Sequence, residues 1–249
     1  VNDYKLGKTP ARPGAASLKL STYLDAAALP DVPKAFGHQD LVGSFGMLAN
    51  DRVGDCVWAG AAHETLMWNA EGRRPVVFTD SDVLADYSRV TGYKPSDPST
   101  DQGTDMEVAA KFRRKTGIRS HNGTRHRIAA YLALEGVEDL AIAAYLFGSV
   151  GIGVQIPSSA MEQFDAGEPW KIVAGDDIEG GHYVPLVGRA SNGHFLVVTW
   201  GRVQEVTAGW LRKYVDEALV YLSAEALVEG KSPEGFDVKA LTADLAALR

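Results

Sequence analysis

The sequence predicts an α+β fold of two packed lobes, helical first and β-rich later. Three observations carry this. Before about residue 145 the apolar residues recur at helical spacing, as in Asp80 to Thr91 and Asp105 to Thr116. From residue 146 to 223 short alternating runs dominate, and Asn192-Gly193 between two of them is a strong hairpin signal. The chain has 249 residues, 45% hydrophobic and 23% charged, enough to bury a core as one domain or two close lobes. Helices first and strands later fit segregated α+β layers.

Taken in order, residues 1–32 hold Pro10, Pro13 and Pro30 and read as an extended arm with one short helix near Ser21 to Leu29. The arm is either a strap on the domain or a contact for a neighbouring subunit. The main domain spans 33–230, with a helical lobe at about 33–145 and a β lobe at about 146–230. Gly54-Asp55 is a turn pair with Asp55 as a helix N-cap, and Val57 to Trp68 reads as helix. The loop from Gly92 to Gly103 is polar and rich in turn formers. Arg125 to Leu134 and Val137 to Gly148 are further helix candidates. Val150 to Ile156, Tyr183 to Gly188, His194 to Gly201 and Ala218 to Leu222 read as strands. After the breaker Lys231 to Gly235, residues 231–249 end in a helix with Leu241, Leu245 and Leu248 on one face. That face packs on the body by default, or fits a partner groove.

Composition excludes several classes. The net charge of −7 argues against nucleic-acid binding. No apolar run reaches the length of a membrane span; Leu140 to Val154 is short and broken by Ser149. No basic-then-apolar N-terminus is present, so no secretory signal is expected. No phosphate-binding loop or dinucleotide fingerprint appears, and no cofactor is predicted. A single cysteine excludes an internal disulfide and a zinc site built on several thiolates, and it fits a cytoplasmic or virion setting. His121 and His126 lie among Arg119, Arg125 and Arg127 with no acid or thiol at ligand spacing. They read as a solvated basic patch, so no metal site is predicted.

The chemistry centres on that cysteine, Cys56. It is either a small core residue or a reactive thiol. Its place in the first turn of a helix favours the thiol, because the helix dipole and orphan N–H groups stabilise an anion. A cysteine nucleophile needs a base from elsewhere in the chain. Of the six histidines, His182 has suitable surroundings: Gly180-Gly181 allow close backbone approach, and a hairpin follows that returns Thr199-Trp200-Gly201 to its side. His63 sits two helical turns from Cys56, about 10 Å away, too far for proton transfer. It reads as a buried or cleft-floor histidine. Asp176, Asp177 and Glu179 either orient His182 or form a solvated turn.

The order of these features resembles the papain-like cysteine peptidases. Asn50 precedes Cys56 by six residues, Cys56 opens a helix, Gly181-His182 opens a hairpin, and Trp200-Gly201 lies on the return strand. The Cys56–His182 separation falls just under the roughly 130–150 residues of papain and the cathepsins. Phe78 to Asp82, Asp101 to Asp105 and Val150 to Ile156 resemble further family segments, so the likeness covers roughly residues 33–223. It implies the two-lobed papain-like fold and a hydrolase of peptide or amide bonds. In that reading Cys56 is the nucleophile, His182 the base, Asn50 an oxyanion donor, and Trp200, Trp58 and Gly181 line the cleft. The implied substrates are a peptide, a protein or a peptidoglycan cross-bridge. The family's inhibitory propeptides are longer and more helical than residues 1–32, so the arm is not expected to be one.

One departure stands out. The family's orienting asparagine falls at Val198, whose side chain cannot hydrogen-bond an imidazole. The third member is then a backbone carbonyl, a water, or Thr199 through a one-residue slip that turns every side chain over. This departure supports the alternative of a papain-like fold kept as a structural or binding component. A looser resemblance, to uncharacterised proteins of actinobacteria and their phages, rests on Phe45 to Cys56, Val197 to Gly201 and Leu6 to Pro13. It suggests a bacterial or virion setting.

Overall fold

The computed structural model describes residues 4–12, 14–16, 19–22, 30–223 and 225–226. The helix expected within 231–249 lies outside them, as does most of the one expected at 21–29. In the latter stretch a short 3-10 turn occupies Leu20–Thr22.

The helical half opens with α1 (Cys56–Glu71), preceded by the short strand β1 (Phe36–Gly37). Helix α1 is buried nearly all round. Its small residues explain why: a Cβ on Gly60 would meet the Tyr183 ring at 2.4 Å, so helix and sheet touch backbone to ring there. Helix α2 (Asp80–Thr91) starts at a capping box of Thr79 and Asp82 and stops at Gly92 in the left-handed region. Helix α3 (Met106–Lys115) is capped by Asp105, which accepts from the Val108 amide. Asp55 behaves differently from the cap read in the sequence. Its φ of −97° and ψ of 17° turn the side chain away from the helix amides, and it makes no capping bond.

A two-stranded ribbon, β2 (Ile118–Arg119) with β3 (Arg125–His126), leads to β4 (Ile128–Ala133). The helix expected at Arg125 to Leu134 is therefore strand. Its alanines favour helix, but Ile128, Ala130 and Leu132 alternate into the core while β4 pairs with the last strand. Then come α4 (Val137–Phe147), β5 (Val150–Pro157), α5 (Ser158–Ala166), β6 (Ile178–Arg189), β7 (Phe195–Thr199), β8 (Arg202–Val206), α6 (Ala208–Tyr214) and β9 (Val215–Ser223). Helices α5 and α6 lie inside the stretch read as mainly strands.

The main sheet runs β4-β9-β5-β6-β7-β8, with β1 added to the far end of β6. Its central pairs are antiparallel, and His182 of β6 faces Val154 of β5. One core, under α4, α5 and α6, includes Ile152, Val154, Val184, Trp170, Trp200 and Trp210. A second, including Cys56, Trp58, Tyr87, Tyr183 and Tyr221, joins α1, α2 and α3 to the sheet. The sheet thus carries His182 on the strand against which α1 packs Cys56. Among the described residues no helix is long and apolar enough to cross a membrane.

Candidate active site

Cys56 is the first residue of α1 and is 1% exposed. The backbone N–H of Tyr183, the residue after His182, points at its sulfur, as does the N–H of Gly7. Cysteine, histidine strand and N-terminal arm therefore meet at one point.

His182 is fully buried. Its Nε2 is 2.8 Å from the Thr199 hydroxyl, and its Nδ1 has no hydrogen-bond partner among the described residues. The ring lies on the Trp200 indole, centroids 4.7 Å apart and planes 20° apart. Thr199 closes β7, and Thr199 pairs with Arg202 of β8 across Trp200-Gly201. Both turn residues have positive φ, 44° at Trp200 and 79° at Gly201, as a type I′ turn requires. A tryptophan there is uncommon, and the turn aims its indole at the imidazole. Val198 points the other way, into a small core with Phe45, Met67, Val187 and Leu196. The register that set Val198 beside the histidine is thus corrected: Thr199 makes the contact with no slip in the strand pairing.

The loop before Cys56 is bent through Gly46, Leu48 and Ala49, all at positive φ. His63 supports it from below, with Nε2 3.0 Å from the Gly46 carbonyl. Burial lowers the His63 pKa to about 4, so it is a neutral brace. Asn50 is buried, and its amide nitrogen lies 3.4 Å from the Val53 carbonyl. Its side chain is thus turned along its own loop. Trp58 is also buried; its Nε1 donates to the Thr104 hydroxyl at 2.9 Å, and it reaches the cleft only through that residue. Asp176, in the turn before β6, and Glu179, at the start of β6, accept from Ser159 and Ser158. His126, read as solvated, is buried between Ser120 and Glu225, while His121 pairs with Asp82 at the surface. No cluster suited to a metal ion occurs among the described residues.

No sequence pattern marked what fills the cleft. Residues 4–9 of the arm run through it as an extended peptide. Gly7 sits between the two sides: a Cβ on it would lie 1.9 Å from the Gly54 carbonyl oxygen, and one on Gly103 would lie 2.1 Å from the Gly7 oxygen. The Lys8 amide donates to the Gly181 carbonyl at 3.0 Å. Thr104 donates to the Gly7 carbonyl at 2.7 Å and accepts from the Thr9 amide at 3.1 Å. Tyr4 stacks on the other face of the site's tryptophan, 4.4 Å from the Trp200 ring. Gly181 has the close approach expected of it, since a Cβ there would stand 2.3 Å from the Lys8 oxygen.

Burial sets the charge state of the pair. Burial pushes the Cys56 thiol up to about 12 and the His182 imidazole down to about 3. The helix terminus does not offset the loss of water, so with the arm in place both groups are neutral. The lowered thiol pKa expected from the helix dipole is thus absent in this closed form. Asp55, the residue before the thiol, also has its pKa driven well above the usual carboxylate range by burial.

No protein-family model matches the chain, and no curated protein matches it. Solved structures do. Xylellain, a cysteine protease from Xylella fastidiosa, superposes with a TM-score of 0.62 at 14% identity, over 90% of this chain and 97% of that one. Procathepsin B S9 from Trypanosoma congolense gives 0.65 at 14% identity, over 88% and 86%. The bromelain protease from Ananas comosus, in complex with the E64 inhibitor, gives 0.54 at 12%, over 77% and 100%. At these identities the likeness is one of fold: the chain has a divergent papain-like fold.

Proposed function

We propose that the chain is a cysteine hydrolase of peptide or amide bonds, resting with its own N-terminal arm in the cleft. The observation that carries this reading is the extended peptide seated over Cys56, beside a His182 ring fixed by Thr199 and Trp200. A cleft that holds one peptide backbone by the Gly181 carbonyl and the Thr104 amide and carbonyl is built to hold another.

Once the arm leaves, water returns and both shifts relax. The Cys56 thiol passes its proton to Nδ1 of His182, the ring nitrogen that Thr199 leaves free. The sulfur attacks the substrate carbonyl carbon and a C–S bond forms. As first residue of α1, Cys56 has a backbone N–H with no carbonyl to bond inside the helix, and it donates to the oxyanion. The Asn50 amide supplies a second donor after turning from Val53. The His182 imidazolium protonates the leaving nitrogen as the C–N bond breaks, which leaves a thioester. His182 then takes a proton from water, which attacks the thioester and frees the acid and the thiol. Thr199 holds the ring and Trp200 shields it.

The arm's direction explains why it is not cut. The leaving amine departs on the His182 and Trp200 side, so a substrate runs from its acyl part near Thr104 toward Trp200. The arm runs from Tyr4 on Trp200 to Thr9 at Thr104. It lies backwards, and its peptide bonds present the wrong geometry to the thiol. Thiol labelling tests the reading: iodoacetamide should modify Cys56 slowly in the wild type and much faster once the arm is displaced. His182→Ala should remove that gain. Labelling that ignores His182 would sink the hydrolase.

A second reading, a binding or virion component on the same fold, draws on one observation: the closed cleft holds both Cys56 and His182 neutral. Absence of hydrolysis from an arm-displaced chain whose thiol is fully labelled would favour it.

A further inference from the structure

We infer that the pocket now filled by Lys8 selects substrates with a lysine or arginine just N-terminal to the residue whose carbonyl is attacked. The inference rests on the hydrolase reading above and names its substrate class.

Lys8 departs from the usual solvated lysine: its side chain is 0% exposed. Its ammonium lies 3.1 Å from Asp216 and 3.0 Å from Glu217, the adjoining acids at the start of β9. It also donates to the Thr9 carbonyl at 3.0 Å. The stem runs over Gly153 of β5, where a Cβ would stand 2.2 Å from the lysine Cε. A glycine at that place gives the pocket its length. Gln155 donates to Asp216 at 2.5 Å and holds the carboxylate in position. The carboxylates and the strand walls come from β5, β6 and β9, and the arm adds only the Thr9 carbonyl.

The place of the pocket fixes which substrate position it reads. Gly7 lies on Cys56, and Lys8 is the next residue, away from Trp200. Substrate bound in the productive direction has its acyl part on this side. The side chain entering the pocket is therefore that of the residue immediately before the attacked one. Among the described residues two carboxylates and no cation outside the arm bear on the pocket, with Asp105 close enough to act on Glu217. A long apolar side chain would offer the two partly exposed carboxylates, Asp216 and Glu217, no cation to pair with, and an acidic one would be repelled. Arginine has the reach and the paired donors for the same two carboxylates. The resting arm then uses the enzyme's own recognition element: Lys8 is the side chain a substrate must displace.

The test uses the full chain carrying Gly7→Ala, which clears the cleft without touching the body. Acetylated dipeptide amides with Lys, Arg, norleucine or Glu before a glycine are compared by protection of Cys56 against iodoacetamide at pH 7, a readout that needs no turnover. Matching fluorogenic amides are compared by kcat/KM. Lys and Arg should protect at least tenfold better than norleucine and about 100-fold better than Glu. Raised salt should shrink the gap. Asp216→Asn with Glu217→Gln should erase the preference, so that norleucine protects as well as lysine. Equal protection by lysine and norleucine, in the unmodified pocket, would overturn the inference whether or not the double variant folds. Selective protection without any hydrolysis would keep the pocket and overturn the hydrolase reading.

Discussion

At the residue scale, the account turns on which side chain holds His182. Val198 and Thr199 are neighbours on one strand, so they face opposite sides. Val198 joins the core of Phe45 and Met67, while the Thr199 hydroxyl meets Nε2 at 2.8 Å. A hydroxyl bonded to an imidazole that charges during turnover is worth about 1.5–3 kcal/mol, or roughly 10–100-fold. Thr199→Ala in an arm-displaced chain is accordingly expected to lower kcat by about that factor, with KM little changed. Val198→Asn should not raise activity; it buries an amide among apolar side chains and should lower stability by about 1–3 kcal/mol, read by denaturant unfolding. The sequence brought Cys56, His182, Thr199 and Trp200 into one candidate set. It set Val198 rather than Thr199 at the histidine, because the positive φ of Trp200 cannot be read from composition.

At the element scale, α1 and β6 are locked together by a buried charge network. Glu64, two turns along α1 from Cys56, is fully buried and lies 2.7 Å from the Arg113 guanidinium of α3. The Tyr183 hydroxyl donates to Glu64 at 3.0 Å, and Arg113 lies 4.1 Å over the Tyr221 ring of β9. Tyr183 follows His182 directly, so this network sets the height of the histidine strand against the cysteine helix. Removing one charge of a buried pair leaves the other uncompensated, typically at about 3–5 kcal/mol. Glu64→Gln should therefore lower unfolding stability by several kcal/mol, measured by denaturant melting. Unchanged stability would show that the network does not join the halves. The sequence marked α2, α3 and α4 well, since capping side chains open α2 and α3 and glycines end α2 and α4. It missed β4 because alanine-rich strands and helices look alike without their partner strand. It missed α5 and α6 because nine- and seven-residue helices carry too few turns to show a period. The Glu64–Arg113 pair was invisible because its members lie on separate helices.

At the scale of the whole molecule, the arm, the two halves and the site act as one closed unit. Under the proposed opening, which wets His182, its buried pKa of about 3 returns toward an ordinary 6.5. Between those values the closed state binds fewer protons than a state with the imidazole in water. Closure is thus fully supported above pH 6.5 and weakens as pH falls, by up to about 1.4 kcal/mol per unit. Glu217, raised by burial, shifts the opposite way and offsets part of this. Hydrogen-exchange protection of the Lys8 and Thr9 amides, bonded to Gly181 and Thr104, should fall by up to about 100-fold from pH 6.5 to 4.5. His182→Asn should flatten that dependence; an unchanged pH profile in the variant would assign it to other groups. The extended character of the arm was legible from its prolines, but its seat was not, because backbone contacts at Gly7, Gly54 and Gly103 leave no side-chain pattern to read. Those glycines also supply the most direct test of the central claim, that a reactive Cys56–His182 pair lies under the arm. The measurement is the rate of Cys56 alkylation near pH 6 in the wild type, in Gly7→Ala and in Gly7→Ala with His182→Ala. A methyl at Gly7 collides with the Gly54 carbonyl and must lift the arm. The account predicts slow labelling in the wild type, labelling at least tenfold faster in Gly7→Ala, and loss of that gain without His182. Slow labelling in all three until the protein is denatured would contradict it and return Cys56 to the core.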